Sequence, residues 1–299
     1  MDQSVDLRLT FSSLLMNTSH IRRKWLDIPY ASKSQTQKLD IYLPNEGDGP
    51  FPVIASIHGG GWMFGDKGDE PNRPFLEALK RGYAVACVNY RLSDEAYFPS
   101  QIQDCRTAIR FLRTNAPAYH LDGARIGAWG ASAGGHLAAL LGTADKVRGL
   151  DDPSMRNIHT RFSGKVQAVV VWYGPVADFL TMDDELNENG LGPSDHSDRG
   201  SPESRLLGRK IADVPALVKF ASPMTYVRRK IPPFLLQHGL KDDIVPVQQS
   251  IRFAERIKKV AGQDRVTLEF LENATHGDPL FETPHNIQRV LNFFDLHLK

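Results

Sequence analysis

Short apolar runs rich in β-branched residues alternate with longer amphipathic stretches, and no other feature of the sequence restricts the fold as much. Lys38 to Leu43 (KLDIYL) alternates like a half-buried strand, while Val53 to Ile57 (VIASI) and Tyr83 to Asn89 (YAVACVN) are apolar runs. Ile126 to Trp129, Val166 to Trp172 and Phe234 to Gln237 read as further buried strands, and Val266 to Leu271 as a more polar last one. Between them lie helical patterns over Arg73 to Arg81, Ile102 to Asn115, His136 to Leu141, Val247 to Ala261 and Asn286 to Leu298. In Val247 to Ala261, Ile251, Ala254, Ile257, Val260 and Ala261 recur at helical spacing, and Arg252, Glu255, Lys258 and Lys259 cover the other face. Parallel neighbours need crossover connections. The alternation therefore predicts an α/β fold with a mostly parallel central sheet of about eight strands and helices on both faces.

One stretch breaks the rhythm. Pro175 to Pro233 contains no convincing strand, and its acidic Asp183, Asp184, Glu185 and Glu188 precede the turn-rich Gly190 to Pro202. Long structureless loops are uncommon in compact domains unless functional, so this segment is expected to be an inserted lid or pocket wall. It should carry a short helix over Pro202 to Leu207 and no core of its own. A length of 299 residues then fits a single domain over 1–299 bearing this insertion, with Met1 to Lys24 as a second segment near the site.

Charge and cysteine usage exclude several classes. Thirty-six Lys+Arg against thirty-five Asp+Glu leave a net charge of +1, so no overall field points to nucleic acid or an anionic membrane. Cys87 and Cys105 are too few for a disulfide framework and wrongly spaced for zinc, and they read as small core residues. The N-terminal residues lack a signal-peptide pattern and no run approaches the roughly 20 apolar residues of a membrane span, so a cytoplasmic location is expected.

Two glycine motifs carry the chemistry. Gly130-Ala131-Ser132-Ala133-Gly134 follows the run Ile126 to Trp129 and opens a helix-compatible stretch, the strand, sharp turn and helix of a nucleophile elbow. Positions two before and two after a serine on such a turn approach neighbouring backbone and must lack bulk. His58-Gly59-Gly60-Gly61-Trp62 follows Val53 to Ile57 and leaves backbone N–H groups uncovered at a strand end. The N–H groups of Gly60, Gly61 and Ala133 would bind the oxyanion of a tetrahedral intermediate.

A serine hydroxyl needs a base, and the base an orienting carboxylate. His276, in Asn273-Ala274-Thr275-His276-Gly277, lies just past the last strand, where small residues leave an imidazole room to reach inward. Asp242 and Asp243 both follow the strand Phe234 to Gln237, and spacing alone hardly separates them. The order Ser132, acid, His276 differs from the orders of the chymotrypsin and subtilisin types. His238 is expected to pack at its strand end, His136 to face the underside of the elbow helix, and His285 and His297 to be satisfied or solvated.

With these motifs in place, the chain resembles the α/β-hydrolase superfamily. More narrowly, it resembles hormone-sensitive-lipase-like carboxylesterases and bacterial bifunctional feruloyl and acetyl xylan esterases. The likeness rests on IHGGGWMFGDK (57–67), GYAVACVNYRLS (82–93), RIGAWGASAGGHLAALLG (125–142), HGLKDDIVP (238–246) and NATHG (273–277). It implies an α/β-hydrolase fold with Ser132 as nucleophile, Asp242 as acid, His276 as base and Gly60, Gly61 and Ala133 as oxyanion donors. It also implies that Arg91 and Asp104 pair as a structural tie beneath the oxyanion loop. A long helical N-terminal cap, present in the lipase-like group, is expected to be shortened or absent here.

The expected activity is hydrolysis of short-chain or aromatic carboxylic esters, acetyl or feruloyl in type, through an acyl-enzyme. Trp62 and Phe64, beside the oxyanion loop, are the candidate substrate-binding residues; packing against the sheet is the other reading of both. Amidase, arylformamidase or peptidase chemistry shares the same constellation, and a non-catalytic receptor on a hydrolase scaffold is the alternative from another class. The expected partner is a small-molecule ester, with no cofactor, metal, nucleic acid or membrane required; the sequence is compatible with a homodimer.

Overall fold

The computed structural model describes residues 14–152 and 162–299. Its sheet has eight strands: β1 (Lys24–Pro29), β2 (Lys38–Tyr42), β3 (Phe51–Ile57), β4 (Ala84–Val88), β5 (Leu121–Ala131), β6 (Val169–Trp172), β7 (Phe234–Gly239) and β8 (Val266–Leu271). Their spatial order is β1-β2-β4-β3-β5-β6-β7-β8, antiparallel across β1, β2 and β4 and parallel from β4 to β8. The chain leaves β3 toward one edge to form β4, then returns past β3 to place β5 on its other side. The carboxyl ends of β3 and β5 thus flank the point where the winding direction changes, where open α/β sheets form their ligand crevice.

Among the described residues, seven α-helices complete the scaffold: α1 (Ser100–Thr114), α2 (Ala133–Thr143), α3 (Met182–Asn189), α4 (Pro202–Leu207), α5 (Pro215–Ala221), α6 (Gln248–Ala261) and α7 (Pro284–Leu298). Strand side chains divide by parity. Val53, Ala55, Val169, Val171, Phe234 and Leu236 join Ile102, Leu112, Leu137, Leu140, Phe253 and Ile257 of α1, α2 and α6 in one core. Ile54, Val170 and Leu235 join Phe75, Val290, Leu291 and Phe294 in a second core on the opposite face. Burial on both faces explains why these strands read as continuous apolar runs.

The inserted stretch contains α3, α4 and α5 and no strand among its residues. Phe179, Met182, Leu206, Leu207, Ile211 and Val218 belong to the same core cluster as α1 and α2, so the insertion has no separate core. Helix α4 falls on the expected Pro202–Leu207: Ser201 Oγ accepts from Ser204 N at 3.1 Å and Pro202 occupies the first turn. Of the segment expected to stand near the site, residues 1–13 lie outside the described residues.

Two local expectations are corrected, and one strand was not foreseen. Strand β1 was not legible, because a register shift between Trp25 and Ile28, with Asp27 at φ 55°, breaks the two-residue alternation. The helix expected over Arg73 to Arg81 is a 3₁₀ run, Glu70–Arg81, that holds Pro71 and Pro74. Proline supplies no N–H, and its ring disfavours a continuous α-helical ladder. The sixth strand pairs only from Val169, so Val166 to Ala168 approach it as a connector. Among the described residues, no helix is long and apolar enough to cross a membrane.

Candidate active site

Ser132 occupies the single residue between β5 and α2, at φ 53° and ψ −123°. A non-glycine residue rarely adopts such a conformation, and the surroundings hold it there. Ser132 N donates to Trp172 O at 2.9 Å, and His136 N donates to Ser132 O at 3.0 Å. A Cβ on Gly134 would stand 2.0 Å from Ile57 O, and one on Gly130 would stand 2.2 Å from Gly134 O. The elbow helix therefore reaches the end of β3 only because both positions are glycine.

The structure brings together the serine, acid and histidine that motif order singled out. Ser132 Oγ lies 2.9 Å from His276 Nε2, and His276 Nδ1 lies 2.9 Å from Asp242 Oδ2 and 3.1 Å from Asp242 Oδ1. Asp242 is 1% exposed, whereas Asp243 faces solvent, and this separates the two carboxylates that spacing left open. Burial opposes the Asp242 charge. His276 and His238 outweigh it by charge and hydrogen bonding, holding the carboxyl well below the usual carboxylate range. An ionised Asp242 fixes the Nδ1–H tautomer and leaves Nε2 as the acceptor facing Ser132.

His238 has a larger role than strand-end packing. Its Nε2 lies 3.2 Å from Asp242 Oδ2 and 2.9 Å from Val245 O, and its Nδ1 lies 2.7 Å from Ser250 Oγ. Asp242 Oδ1 accepts further bonds from Ile244 N at 3.0 Å and Val245 N at 2.8 Å. Tyr173, at φ 37° just past β6, sets its ring edge-on to His276 with centroids 4.8 Å apart. Nothing in the spacing of Tyr173 signals this position.

The glycine loop lies against the elbow: a Cβ on Gly59 would be 3.1 Å from Ala131 O and 3.4 Å from Ser132 Cβ. Among the described residues, no hydrogen bond is formed by the N–H of Gly60, Gly61 or Ala133. The loop is braced from below. His58 stacks on Tyr90 with centroids 4.4 Å apart, Tyr90 Oη donates to His58 O at 3.1 Å, and Ser93 N donates to Trp62 O at 2.8 Å. The expected tie is present: Asp104 accepts from Arg91 N, Nε and Nη2 at 2.9, 2.8 and 2.7 Å, and from Gln37 Nε2 at 2.7 Å.

One candidate is corrected. Trp62 is 1% exposed and packs on His136 and Phe179, so the loop turns its largest side chain into the core rather than toward a substrate. Burying the indole anchors the glycine loop, which has almost no side chains of its own to hold it. Phe64 is half-buried at the far end of the loop. Cys87 and Cys105 are buried free thiols, as expected of small core residues.

A mostly parallel eight-stranded sheet with a serine on the turn after β5, and an acid and a histidine on the loops after β7 and β8, defines the α/β-hydrolase class. Within it, the chain belongs to the BD-FAE family, whose model matches residues 39–257. Esterase LipQ of Mycobacterium tuberculosis is 31% identical over 278 residues, covering 90% of this chain and 62% of LipQ. The chain thus spans about three fifths of that relative's length. A truncated carbohydrate esterase from gut microbiota superposes with a TM-score of 0.80 at 29% identity, covering 95% of this chain and 99% of its own. A bifunctional GH43-CE protein of Bacteroides eggerthii gives a TM-score of 0.81 at 33% identity, covering 93% of this chain and 35% of its own.

Proposed function

We propose that this chain is a serine carboxylesterase that hydrolyses short-chain or aromatic carboxylic esters through an acyl-enzyme, in one hydrolase domain walled by the insertion. The observation that carries the reading is the continuous contact from Ser132 Oγ through His276 to the buried Asp242, each step 2.9 Å long. Ser132 Oγ attacks the ester carbonyl while His276 Nε2 takes its proton. Charge developing on the carbonyl oxygen is met by the N–H groups of Gly60, Gly61 and Ala133. The tetrahedral intermediate collapses, and the alcohol leaves with the proton from His276. Water, deprotonated by the same nitrogen, then attacks the acyl-serine and releases the acid. Asp242 remains ionised throughout, holding the imidazole and stabilising its charged form.

Relatives named esterases and a structural neighbour described as a carbohydrate esterase support an ester rather than an amide, and acylated carbohydrate as one substrate class. The expected outcome for Ser132→Ala is a fall in kcat on p-nitrophenyl acetate of at least roughly 10⁴-fold, because the oxyanion donors alone retain only a residual rate. Undiminished turnover would remove the nucleophile assignment. A panel of acetyl, butyryl, feruloyl and long-chain esters should favour the short and aromatic acyl groups, and preference for emulsified long-chain lipid would contradict this reading.

A further inference from the structure

The insertion grips both halves of the site. Pro202 Cβ stands 3.2 Å from where a Cβ on Gly61 would lie, in the oxyanion loop. A Cβ on Gly192, at φ 55°, would stand 2.0 Å from Asp243 O, in the loop that carries Asp242. Between these contacts lies His196, 5% exposed. Its Nε2 donates to Ile244 O at 2.8 Å, and its Nδ1 lies 3.2 Å from Oε2 of Glu203, itself 3% exposed. No hydrogen bond satisfies either His196 Nδ1 or Glu203 Oε2, both buried, and a carboxylate 3.2 Å from the ring nitrogen favours the protonated imidazole.

The carbonyl that His196 holds belongs to the Ile244–Val245 peptide, and the N–H of that same peptide donates to Asp242 Oδ1 at 2.8 Å. A cation on the oxygen of an amide polarises the group and strengthens the bond its N–H donates. We infer that His196 is a positioning residue for the proposed triad, acting on Asp242 through this single peptide group. A chain of contacts then runs from Glu203 through His196, the peptide, Asp242 and His276 to Ser132. The inference rests on the esterase reading and extends it, by linking the insertion to the catalytic acid.

The charged groups facing His196 are Glu203 from α4 and Asp183 from α3, whose Oδ1 accepts from His196 N at 2.9 Å; the carbonyl of Ile244 faces it from the acid loop. Burial disfavours the imidazolium. The Glu203 carboxylate beside the ring, aided by Ile244 O and Asp183, outweighs it and raises the His196 pKa to about 9. A triad histidine acting as base produces a fall in rate only on the acid side. An alkaline fall in kcat is therefore the signature of His196 rather than of His276.

The test measures kcat and KM for a short naphthyl ester from pH 6 to 10 in the wild type, His196→Gln and Glu203→Gln. The wild type is expected to lose kcat as pH passes about 9 while KM stays level. In Glu203→Gln, which deprives the imidazolium of its partner, the fall moves to lower pH. His196→Gln keeps a neutral donor for Ile244 O, so the alkaline fall disappears, and kcat at pH 7.5 is lower by roughly threefold to thirtyfold. Superimposed profiles in all three proteins would overturn the inference. Should His196→Gln not fold, Glu203→Gln decides by itself. Independently of turnover, the Val245 amide proton resonance should follow the His196 titration, and indifference to it would equally overturn the inference. Absence of both ester turnover and fluorophosphonate labelling in the wild type would sink the esterase reading instead, with the Val245 resonance still reporting the coupling.

Discussion

At the scale of single residues, the site is set by which proton each nitrogen of His276 carries. Asp242 takes bonds from His276, His238 and two backbone N–H groups, and it is acceptor-only while ionised. That fixes Nδ1 as the protonated position and directs the lone pair of Nε2 at Ser132. Asp242→Asn preserves the shape but can present an amide N–H to Nδ1, which favours the opposite tautomer and leaves Nε2 unable to accept the serine proton. The expected result is a loss of kcat of about 10³- to 10⁴-fold, read from steady-state hydrolysis of p-nitrophenyl acetate near pH 7.5. A loss of only a few-fold would mean that His276 is oriented by something other than this carboxylate. Rapid labelling of the variant by a fluorophosphonate at neutral pH would carry the same message.

At the scale of elements, the site depends on loops after β3, β4, β5, β7 and β8 being held in register by contacts beneath them. Asp104 on α1 joins α1 to the loop after β4 through Arg91, and to Gln37 beside β2. With Asp104 1% exposed and the Arg91 side chain 12% exposed, Asp104→Ala strands a guanidinium without its partner. Removing one partner of a buried pair costs about 3 kcal/mol, which a shift in the urea midpoint should report; a change below about 0.5 kcal/mol would show the tie to be dispensable. Much of this scale was legible in advance. The unbroken apolar runs of β3, β6 and β7 marked them as buried strands, the glycines of the elbow and loop marked strand ends, and motif order brought Ser132 to His276. What escaped had physical causes. The bulge in β1 erased its alternation, prolines turned a helical pattern into a 3₁₀ run, and Trp62 was drawn inward by a core that linear spacing does not display. His196 carried no local signal, because its partners Glu203 and Ile244 meet only through tertiary packing.

At the scale of the whole molecule, two buried histidines fasten the insertion to the rest, and they have opposite electrostatic habits. His136 on α2 donates from Nε2 to Ala221 O at the end of α5 at 2.9 Å, while its Nδ1 is buried without a partner. Protonation would put a second N–H among Trp62, Phe98 and Phe179, so burial, only partly offset by the Ala221 bond, lowers its pKa to about 4 from 6.5. The unfolded chain therefore binds that proton first, and stability falls as pH drops from 6.5 toward 4, by roughly 3 kcal/mol. His196, raised to about 9, binds its proton more tightly when folded. Its contribution is complete below about pH 6.5 and is lost as pH rises through about 9. Asp242, depressed by His276 and His238, adds stability that is present above its unfolded pKa and lost only in strong acid, outside this window. The two histidines together predict a urea midpoint that peaks near pH 6.5 and declines on both sides. His136→Gln, which can still donate to Ala221 O, should flatten the acid limb alone, and His196→Gln the alkaline limb alone. A midpoint that kept rising from pH 6.5 to 9, or an acid limb unchanged in His136→Gln, would show that the insertion is held by other means. Because Ala221 and His196 both belong to the insertion while His136 and Ile244 lie outside it, loss of either histidine contact should also raise its susceptibility to limited proteolysis before global unfolding begins.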